Sequence, residues 1–148
     1  MKYIKTYEQS KGITFQEWLR RTHSQDLNIT IIDCNNSNLI DLDGIEQFTN
    51  LKELICSNNK LTSLPDLPNA LERLYCYNNK LKSLPDLPDT LEKLSCYNNK
   101  LTFLPDLPNT LKYLYCYNNE LPYYNLESYW KWFEKTYPWK VAAKKYNL

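Results

Sequence analysis

The stretch "LERLYCYNNKLKSLPDLPDT" at residues 71–90 recurs with few changes on both sides of itself. The copy before it is "LKELICSNNKLTSLPDLPNA" (51–70), and the copy after it is "LEKLSCYNNKLTFLPDLPNT" (91–110). A fourth copy begins as "LKYLYCYNNEL" at residue 111 before departing from the pattern, and a degenerate copy of 22 residues spans 29–50. A fixed period of 20 residues is typical of a repeat protein in which each unit packs against its neighbours.

Within each unit, the apolar positions predict one short strand. Leu74 and Cys76 alternate with Tyr75 and Tyr77, which is the period of a strand with one buried face. Since one unit is too small to bury its own leucines, we expect the units to stack into a parallel sheet with strands about 4.8 Å apart. The "LPDLP" half cannot be helix or central strand, because proline fixes φ and lacks an N–H donor. The predicted fold class is therefore an α/β repeat solenoid with extended, polyproline-like segments opposite the strands.

The repeat frame L-x-x-L-x-C-x-x-N-x-L-x-x-L-P-x-L-P resembles the leucine-rich-repeat family, whose frame is L-x-x-L-x-L-x-x-N-x-L. Its period and "LPDLP" half are most similar to the LPX-type repeats of bacterial effectors that act inside host cells, and the 22-residue copy is closer to internalin-type spacing. The resemblance implies a horseshoe with its short strands on the concave face. It also implies inward asparagines bonded to neighbouring backbone, at Asn59, Asn79, Asn99 and Asn119. Because the family hosts many binding roles, the resemblance alone identifies no partner.

We expect one domain over 1–148, with a cap at each end, because a stack of repeats exposes leucines at both ends. In "TFQEWLRRTHS", Thr14 and Glu17 match a capping box before an apolar helical face, so an N-terminal helical cap is predicted over 1–28. A C-terminal helical cap is predicted over 125–148, because "NLESYWKWFEKTY" carries apolar residues at helical spacing before a proline. The five repeats between the caps are predicted at 29–50, 51–70, 71–90, 91–110 and 111–124.

The five cysteines occupy one position of the repeat, namely Cys34, Cys56, Cys76, Cys96 and Cys116. A disulfide or zinc site would need loop-set spacing such as C-x-x-C, which the sequence lacks. The cysteines take the inward position at which the resembled family carries leucine, so we predict small buried hydrophobes in a reducing compartment. For the recurring aspartates of "LPDLP", Asp66, Asp86 and Asp106, a solvated edge is favoured over a calcium site. Neither a metal nor a cofactor is predicted.

The sequence offers no recognisable catalytic site, so we predict that the chain is not an enzyme. Gly12 and Gly44 are the only glycines, which rules out both common glycine-rich phosphate loops. The single histidine, His23, lies in no recognisable catalytic motif. Some of the LPX-type effectors that the repeats resemble are ubiquitin ligases with a Cys-x-Asp nucleophile in a helical domain after the repeats. Here no cysteine is followed by x-Asp and about 24 residues follow the repeats, so that activity is not expected.

The outward strand positions do not contribute to the core and are free to bind a partner. They bring six tyrosines and two cations to one face, and we call these eight residues the concave surface: Tyr75, Tyr77, Tyr97, Tyr113, Tyr115, Tyr117, Arg73 and Lys93. Tyrosine gives a large, rigid contact area with a polar tip, which suits recognition. The alternative is that tyrosine simply fits a parallel strand and that duplication copied "CYNN" along the array. We predict a non-catalytic module that binds a protein or peptide through the concave surface.

The bulk composition limits the other partners. The formal net charge is +1 at pH 7, which argues against nucleic acid. Glycan or nucleic-acid binding by tyrosine stacking, and a purely structural or self-associating role, remain the alternatives. The start "MKYIKTYEQSKG" lacks the apolar segment of a secretory signal, and no apolar run approaches the roughly 18 residues of a membrane span. We therefore expect a cytoplasmic protein without membrane contact, or one in the host cytosol if it is exported as an effector; the oligomeric state is left open, with a monomer favoured.

Overall fold

The computed structural model of the protein describes residues 12–22 and 26–141, so His23 and the end of the predicted C-terminal cap lie outside it. Five short strands form one parallel sheet in chain order. They are β1 (Ile31–Asp33), β2 (Glu53–Ile55), β3 (Arg73–Tyr75), β4 (Lys93–Ser95) and β5 (Tyr113–Tyr115). Helix α1 (Phe15–Thr22) precedes the sheet and helix α2 (Leu126–Thr136) follows it. The predicted α/β repeat solenoid is therefore confirmed.

The sheet pairs each strand with the next in a register of one repeat. At the central strand position the aligned residues are Ile32, Leu54, Leu74, Leu94 and Leu114. The first unit is two residues longer, and it contains a 3₁₀ turn (Ile45–Gln47) after Gly44, whose φ of 98° suits glycine. Because the register is constant, each position of the repeat becomes one row of side chains across the sheet.

The core is a continuous stack of leucine and cysteine side chains. Leu54, Leu74 and Leu94 expose none of their surface, and each of them stabilises the fold by about 2 kcal/mol on the usual scale for burying a leucine. All five cysteines are buried and carry free thiols. The prediction that these cysteines pack as small hydrophobes is confirmed.

The inward asparagines tie each repeat to the one before it. The Asn79 Nδ2 donates to the carbonyls of Cys56 and Cys76 at 3.0 and 3.1 Å, and the Asn79 Oδ1 accepts from the Leu61 N–H at 3.1 Å. The next two layers repeat this pattern. These backbone groups lie where the strand ends and the sheet ladder no longer pairs them, so one side chain satisfies polar groups of two layers.

The asparagine before each inward one has a different structural cause. Four of these residues have φ between 53° and 55°, namely Asn58, Asn78, Asn98 and Asn118. Asparagine tolerates this left-handed region better than most residues other than glycine. Their side chains form a second ladder, in which the Nδ2 of Asn78, Asn98 and Asn118 donates to the Oδ1 of the preceding asparagine at 2.6–2.7 Å, and that of Asn58 donates to the Asn35 Oδ1 at 3.0 Å. The dipeptide "NN" thus supplies one turn residue and one inward amide.

Helix α1 covers the first repeat. The Thr14 Oγ1 accepts from the Glu17 N–H at 3.1 Å and the Glu17 Oε2 accepts from the Thr14 N–H at 3.0 Å, so the predicted capping box is present. Phe15 is fully buried, and its ring centroid lies 6.2 Å from that of Phe48 in an edge-to-face arrangement. The helix therefore adds an aromatic residue to the core at the open end of the stack.

After β5 the chain folds back and covers the last edge of the sheet. The Cys116 N–H donates to the Tyr124 carbonyl at 3.1 Å, and Tyr115 forms an antiparallel bridge with Asn125. Asn125 then caps helix α2, because its Oδ1 accepts from the Ser128 N–H at 2.9 Å. This segment occupies backbone groups that an edge strand would leave open. The predicted C-terminal helical cap is present.

Helix α2 packs an aromatic face on the last repeat. Tyr129 is buried and Trp130 and Phe133 are partly buried, at the helical spacing that the sequence predicts. Trp132 falls outside that spacing but is also partly buried, with its ring centroid 5.0 Å from that of Tyr123 in the segment that folds back. Burial raises the pKa of Tyr123 and Tyr129 to about 12. Neither helix that the structure describes has the length and hydropathy needed to span a bilayer.

Opposite the sheet, the "LPDLP" segments contain neither strand nor helix, as their prolines predict. Leu64 and Leu84 point into the core and are 8% and 6% exposed. The recurring aspartates lie on the outside and are exposed. Across the part of the chain that the structure describes, no group of three or more His, Cys, Asp or Glu side chains is placed to hold a metal ion.

Candidate interaction surface

The register of the sheet arranges the concave surface in three rows of side chains. The first row runs Glu53, Arg73, Lys93 and Tyr113. The second row runs Ile55, Tyr75, Ser95 and Tyr115. The third row lies just beyond the strands and contains Tyr77, Tyr97 and Tyr117. All eight residues selected from the sequence therefore lie on one face of the molecule.

The third row is a continuous stack of phenol rings. The centroids of Tyr77 and Tyr97 are 4.5 Å apart, as are those of Tyr97 and Tyr117, with interplanar angles of 6° and 11°. This spacing follows from the sheet, because identical residues one strand apart are about 4.8 Å from each other. Tyr97 has a ring on both sides, and burial together with the neighbouring phenols raises its pKa. The row consequently presents ring edges and hydroxyls at the surface instead of open ring faces.

The exposure of the tyrosines rises towards the last repeat. Tyr113, Tyr115 and Tyr117 expose 55%, 42% and 43% of their surface, whereas the three tyrosines of the earlier repeats are half-buried. These three tyrosines are neighbours in the fold, and exposed aromatic side chains that lie together are typical of protein interfaces. The contact area that is free for a partner is thus concentrated on β5 and the turn that follows it.

Arg73 is already paired within the protein. Its Nε lies 3.0 Å from the Glu53 Oε2 and its Nη1 lies 3.7 Å from the Glu72 Oε2. The hydrogen bond to Glu53 raises the pKa of Arg73. Since two carboxylates oppose one guanidinium, Arg73 offers little free positive charge. The sequence carried this signal, because Glu53 and Arg73 occupy the same repeat position and are therefore cross-strand neighbours.

Lys93 lies between two tyrosine rings. Its Nζ is 5.1 Å from the ring centroid of Tyr75 and 5.8 Å from that of Tyr115, both within the range of a cation–π contact. Tyr75 and Tyr115 flank Ser95 in the second row, so the small serine leaves space between the two rings. Within residues 12–22 and 26–141, Lys93 forms no ion pair with a carboxylate.

Burial keeps the five thiols in their protonated form at neutral pH. Burial raises the pKa of Cys34 and Cys116 to about 12, and it raises that of the three cysteines between them as well. The thiolate is the reactive form of cysteine, and a raised pKa keeps the thiol protonated. The described thiols therefore act in packing and not as nucleophiles.

Comparison with known proteins gives the repeats a family. A model described as "Leucine Rich repeats (2 copies)" matches residues 27–69 and, in a second overlapping match, residues 49–89. The repeats are leucine-rich repeats. The family resemblance of the sequence is thereby confirmed, and the leucine-rich-repeat frame explains the strand, the inward asparagine and the convex segment of each unit.

Three of the solved structures that resemble this protein come from the bacteria Shigella, Yersinia and Listeria. The leucine-rich-repeat domain of a Shigella effector matches with a TM-score of 0.67 and 29% identity, covering 78% of this chain and 54% of that one. YopM from Yersinia enterocolitica matches with a TM-score of 0.61 and 34% identity, over 73% of this chain and 28% of that one. The functional domain of InlJ from Listeria monocytogenes, which includes a cysteine ladder, matches with a TM-score of 0.57 and 39% identity, over 64% of this chain and 22% of that one.

Sequence comparison also finds Internalin J of Listeria monocytogenes, which is 47% identical over 36 residues, or 24% of this chain and 4% of that protein. This chain therefore spans only about half of the Shigella domain and smaller fractions of the other relatives. The likeness concerns the repeat array and not the whole of any relative.

Proposed function

We propose that the chain is a non-catalytic leucine-rich-repeat module that binds a protein or peptide through the concave surface. The observation that carries this proposal is the gathering of six tyrosines on one face, three of them stacked at 4.5 Å. Rings that hold one another lose little conformational entropy when a partner binds, so their contact area is converted into affinity at low cost. The domain organisation predicted from the sequence, with five repeats between two helical caps, is the framework for this surface.

The relatives support a role of the effector type. One of the structural relatives is an effector domain by name, and the "LPDLP" half of the repeat resembles the LPX-type subclass. An effector-like protein would meet its partner in the host cytosol, where the reduced cysteines of this chain would persist. The exposed tyrosines of β5 would then contact a host protein.

A protein partner fits the surface better than a glycan or a nucleic acid. A stacking platform needs open ring faces, whereas Tyr97 has a ring on each side. A phosphate backbone is bound by several free cations, whereas of the two cations of this surface Arg73 is paired with Glu53 and Glu72, which leaves Lys93 alone to contact a phosphate. Ring edges and hydroxyls beside paired charges suit the mixed polar and apolar contacts of a protein interface.

The test is affinity capture with the purified chain, followed by mass spectrometry and quantitative binding to the captured protein. Changing Tyr77, Tyr97 and Tyr117 together to serine should abolish binding. The matched control is Phe103→Ser, which removes an aromatic residue that is 57% exposed outside the concave surface and should leave the affinity unchanged. Circular dichroism and thermal melting verify that both variants are folded.

Binding that survives the triple tyrosine change in a folded protein would refute this function. A loss of affinity that is steep in salt and is accompanied by captured RNA or DNA would favour the nucleic-acid alternative instead. Inhibition of capture by free oligosaccharides would favour a glycan.

A further inference from the structure

The two cations of the concave surface differ in whether a carboxylate is paired with them. Arg73 is paired with Glu53 at 3.0 Å and lies 3.7 Å from Glu72, which also pairs with Lys52 at 2.8 Å, so these two cations and two carboxylates balance one another. Lys93 occupies the next position in the same row but has only the rings of Tyr75 and Tyr115 beside it. A ring attracts a cation through its quadrupole without cancelling its charge, so the full positive charge of Lys93 remains available to an anion.

We propose that the partner is an acidic peptide segment, with one of its carboxylates bound to Lys93 between the rings of Tyr75 and Tyr115. The inference rests on the proposed function, because it places the partner on the same concave surface. The two rings already hold the lysine head group, so little side-chain entropy is lost when the ion pair forms. They also shield the ammonium on two sides, and a charge-assisted hydrogen bond is stronger where water is partly excluded.

Ser95 separates the two rings beside Lys93. It is the small member of the second row, and it lies between Tyr75 and Tyr115 on the same strand as Lys93. A tyrosine at this position would continue the aromatic row and would close the gap. Ser95 itself is only 5% exposed, and the Lys93 head group lies beside the two rings that flank it. An Asp or Glu side chain would therefore reach the ammonium from the solvent side of the two rings.

The neighbouring charges set the direction of the peptide. Asp33 is exposed on the first strand and would repel an acidic segment there, while Glu53 on the second strand is already paired with Arg73 and leaves no free cation for it. On the other side of Lys93, Tyr113 and its neighbours on β5 carry no charge and are exposed. The acidic residue therefore lies at β4, and the rest of the segment extends over the tyrosines of β5. A polyanion such as RNA would extend its charge on to Asp33 and Glu53, which favours a peptide with a locally placed carboxylate.

The experiment selects peptides from a phage-displayed random library on the full chain. The wild type should enrich Asp and Glu over the unselected library, and Lys93→Glu should lose this enrichment and select Lys and Arg instead. Lys82→Glu is the matched control, because Lys82 is an exposed lysine outside the concave surface and the change in net charge is the same. The Lys82→Glu variant should select the same acidic peptides as the wild type.

One selected peptide is then synthesised with its acidic residue as Glu and as Gln, and binding is measured by fluorescence anisotropy. Lys93→Met should weaken binding of the Glu peptide about tenfold, the size expected of a charge-assisted contact. The Gln peptide should bind the wild type about tenfold more weakly, yet should bind Lys93→Met no more weakly than the Glu peptide does. This pattern in a double-mutant cycle identifies the direct pairing of the two groups.

The outcomes separate this inference from the function on which it rests. Peptides without acidic enrichment whose binding is lost in the Tyr77, Tyr97 and Tyr117 triple variant would overturn the carboxylate pairing and leave the binding surface in place. Enrichment of Lys or Arg by the wild type would also overturn it. A library that yields no binder, or binders insensitive to both the tyrosine and the Lys93 variants, would overturn the proposed function as well.

Discussion

Replacing Asn59 by alanine tests whether the inward asparagines hold the repeats together. The Asn59 Oδ1 accepts from the N–H groups of Ser37 and Leu39 at 3.0 and 2.9 Å. Its Nδ2 donates to the carbonyls of Cys34 and Cys56, both at 3.0 Å. The side chain is only 9% exposed, so water has little access to the groups that alanine would leave behind.

The loss of stability in Asn59→Ala can be estimated from the two backbone N–H groups that lose their acceptor. A buried N–H without a partner costs about 1–3 kcal/mol, and both Ser37 and Leu39 lose theirs. Leu39 is fully buried and Ser37 is half-buried, so the expected loss in the free energy of unfolding is about 3–4 kcal/mol. Since a domain of this size is stable by about 5–15 kcal/mol, the variant should fold but should lose a large share of its margin.

The assay is urea unfolding followed by far-ultraviolet circular dichroism. The control is Asn58→Gly, because glycine adopts the φ of 55° found there and only surface amide bonds are lost. We expect this control to cost about 1 kcal/mol or less. If Asn59→Ala cost no more than Asn58→Gly at an unchanged m value, the inward amide would not be what satisfies the backbone between layers, and the reasoning would be wrong.

Three other perturbations give separate tests. Burial raises the pKa of Cys34 to about 12 and also raises the pKa of the other four thiols. Iodoacetamide at about pH 8 should therefore label the native protein far more slowly than the urea-unfolded chain. Fast labelling of the native protein would contradict the burial of the five cysteines. Ala70→Thr should stabilise the fold by about 0.5–1.5 kcal/mol, since the Thr90 hydroxyl at the same repeat position can donate its hydrogen to the Asn69 carbonyl of the preceding repeat at 2.8 Å or to the Leu71 carbonyl at 2.9 Å. An unchanged urea midpoint would refute this. The pKa of Tyr123 and Tyr129 is raised to about 12, above the ordinary value of about 10, so the folded state holds protons that the unfolded state releases. The stability from these phenols should be complete below about pH 10 and lost as the pH rises towards about 12, which unfolding curves and phenolate absorbance would follow.

The fold could be predicted from the sequence alone, because the inward positions of the repeat obey a simple physical rule. Leu74 and Cys76 recur every 20 residues, and a stack buries whatever recurs at the inward positions. The same rule locates the tyrosines opposite them. It does not reveal the left-handed φ of Asn78, because "NN" reads the same whether an asparagine turns the chain or fills the interior.

The properties of the site are harder to predict from the sequence than the fold, because they depend on contacts between side chains of different rows. The sequence places Glu53 and Arg73 at the same repeat position, but that they form an ion pair depends also on the directions of the two side chains, which the repeat does not give. Lys93 contacts both Tyr75 and Tyr115, which lie in a different row of the sheet and on the two neighbouring strands. A contact between different repeat positions cannot be read from any one position of the repeat. At the C-terminal end, Trp132 was missed because the segment that folds back supplies a second surface for the helix.

Duplication accounts for one row of the concave surface but not for the other two. The stack of Tyr77, Tyr97 and Tyr117 follows from copying "CYNN", and its spacing is that of the sheet. The first two rows differ from repeat to repeat, from Glu53 to Tyr113 and from Ile55 to Tyr115, although the inward positions beside them stay nearly constant. Residues that vary while their neighbours are copied are not explained by the needs of the stack. On the proposed function, we expect the specificity of binding to lie in the variable rows, where Lys93 and the β5 tyrosines are found, with the copied row as a rigid aromatic border beside them.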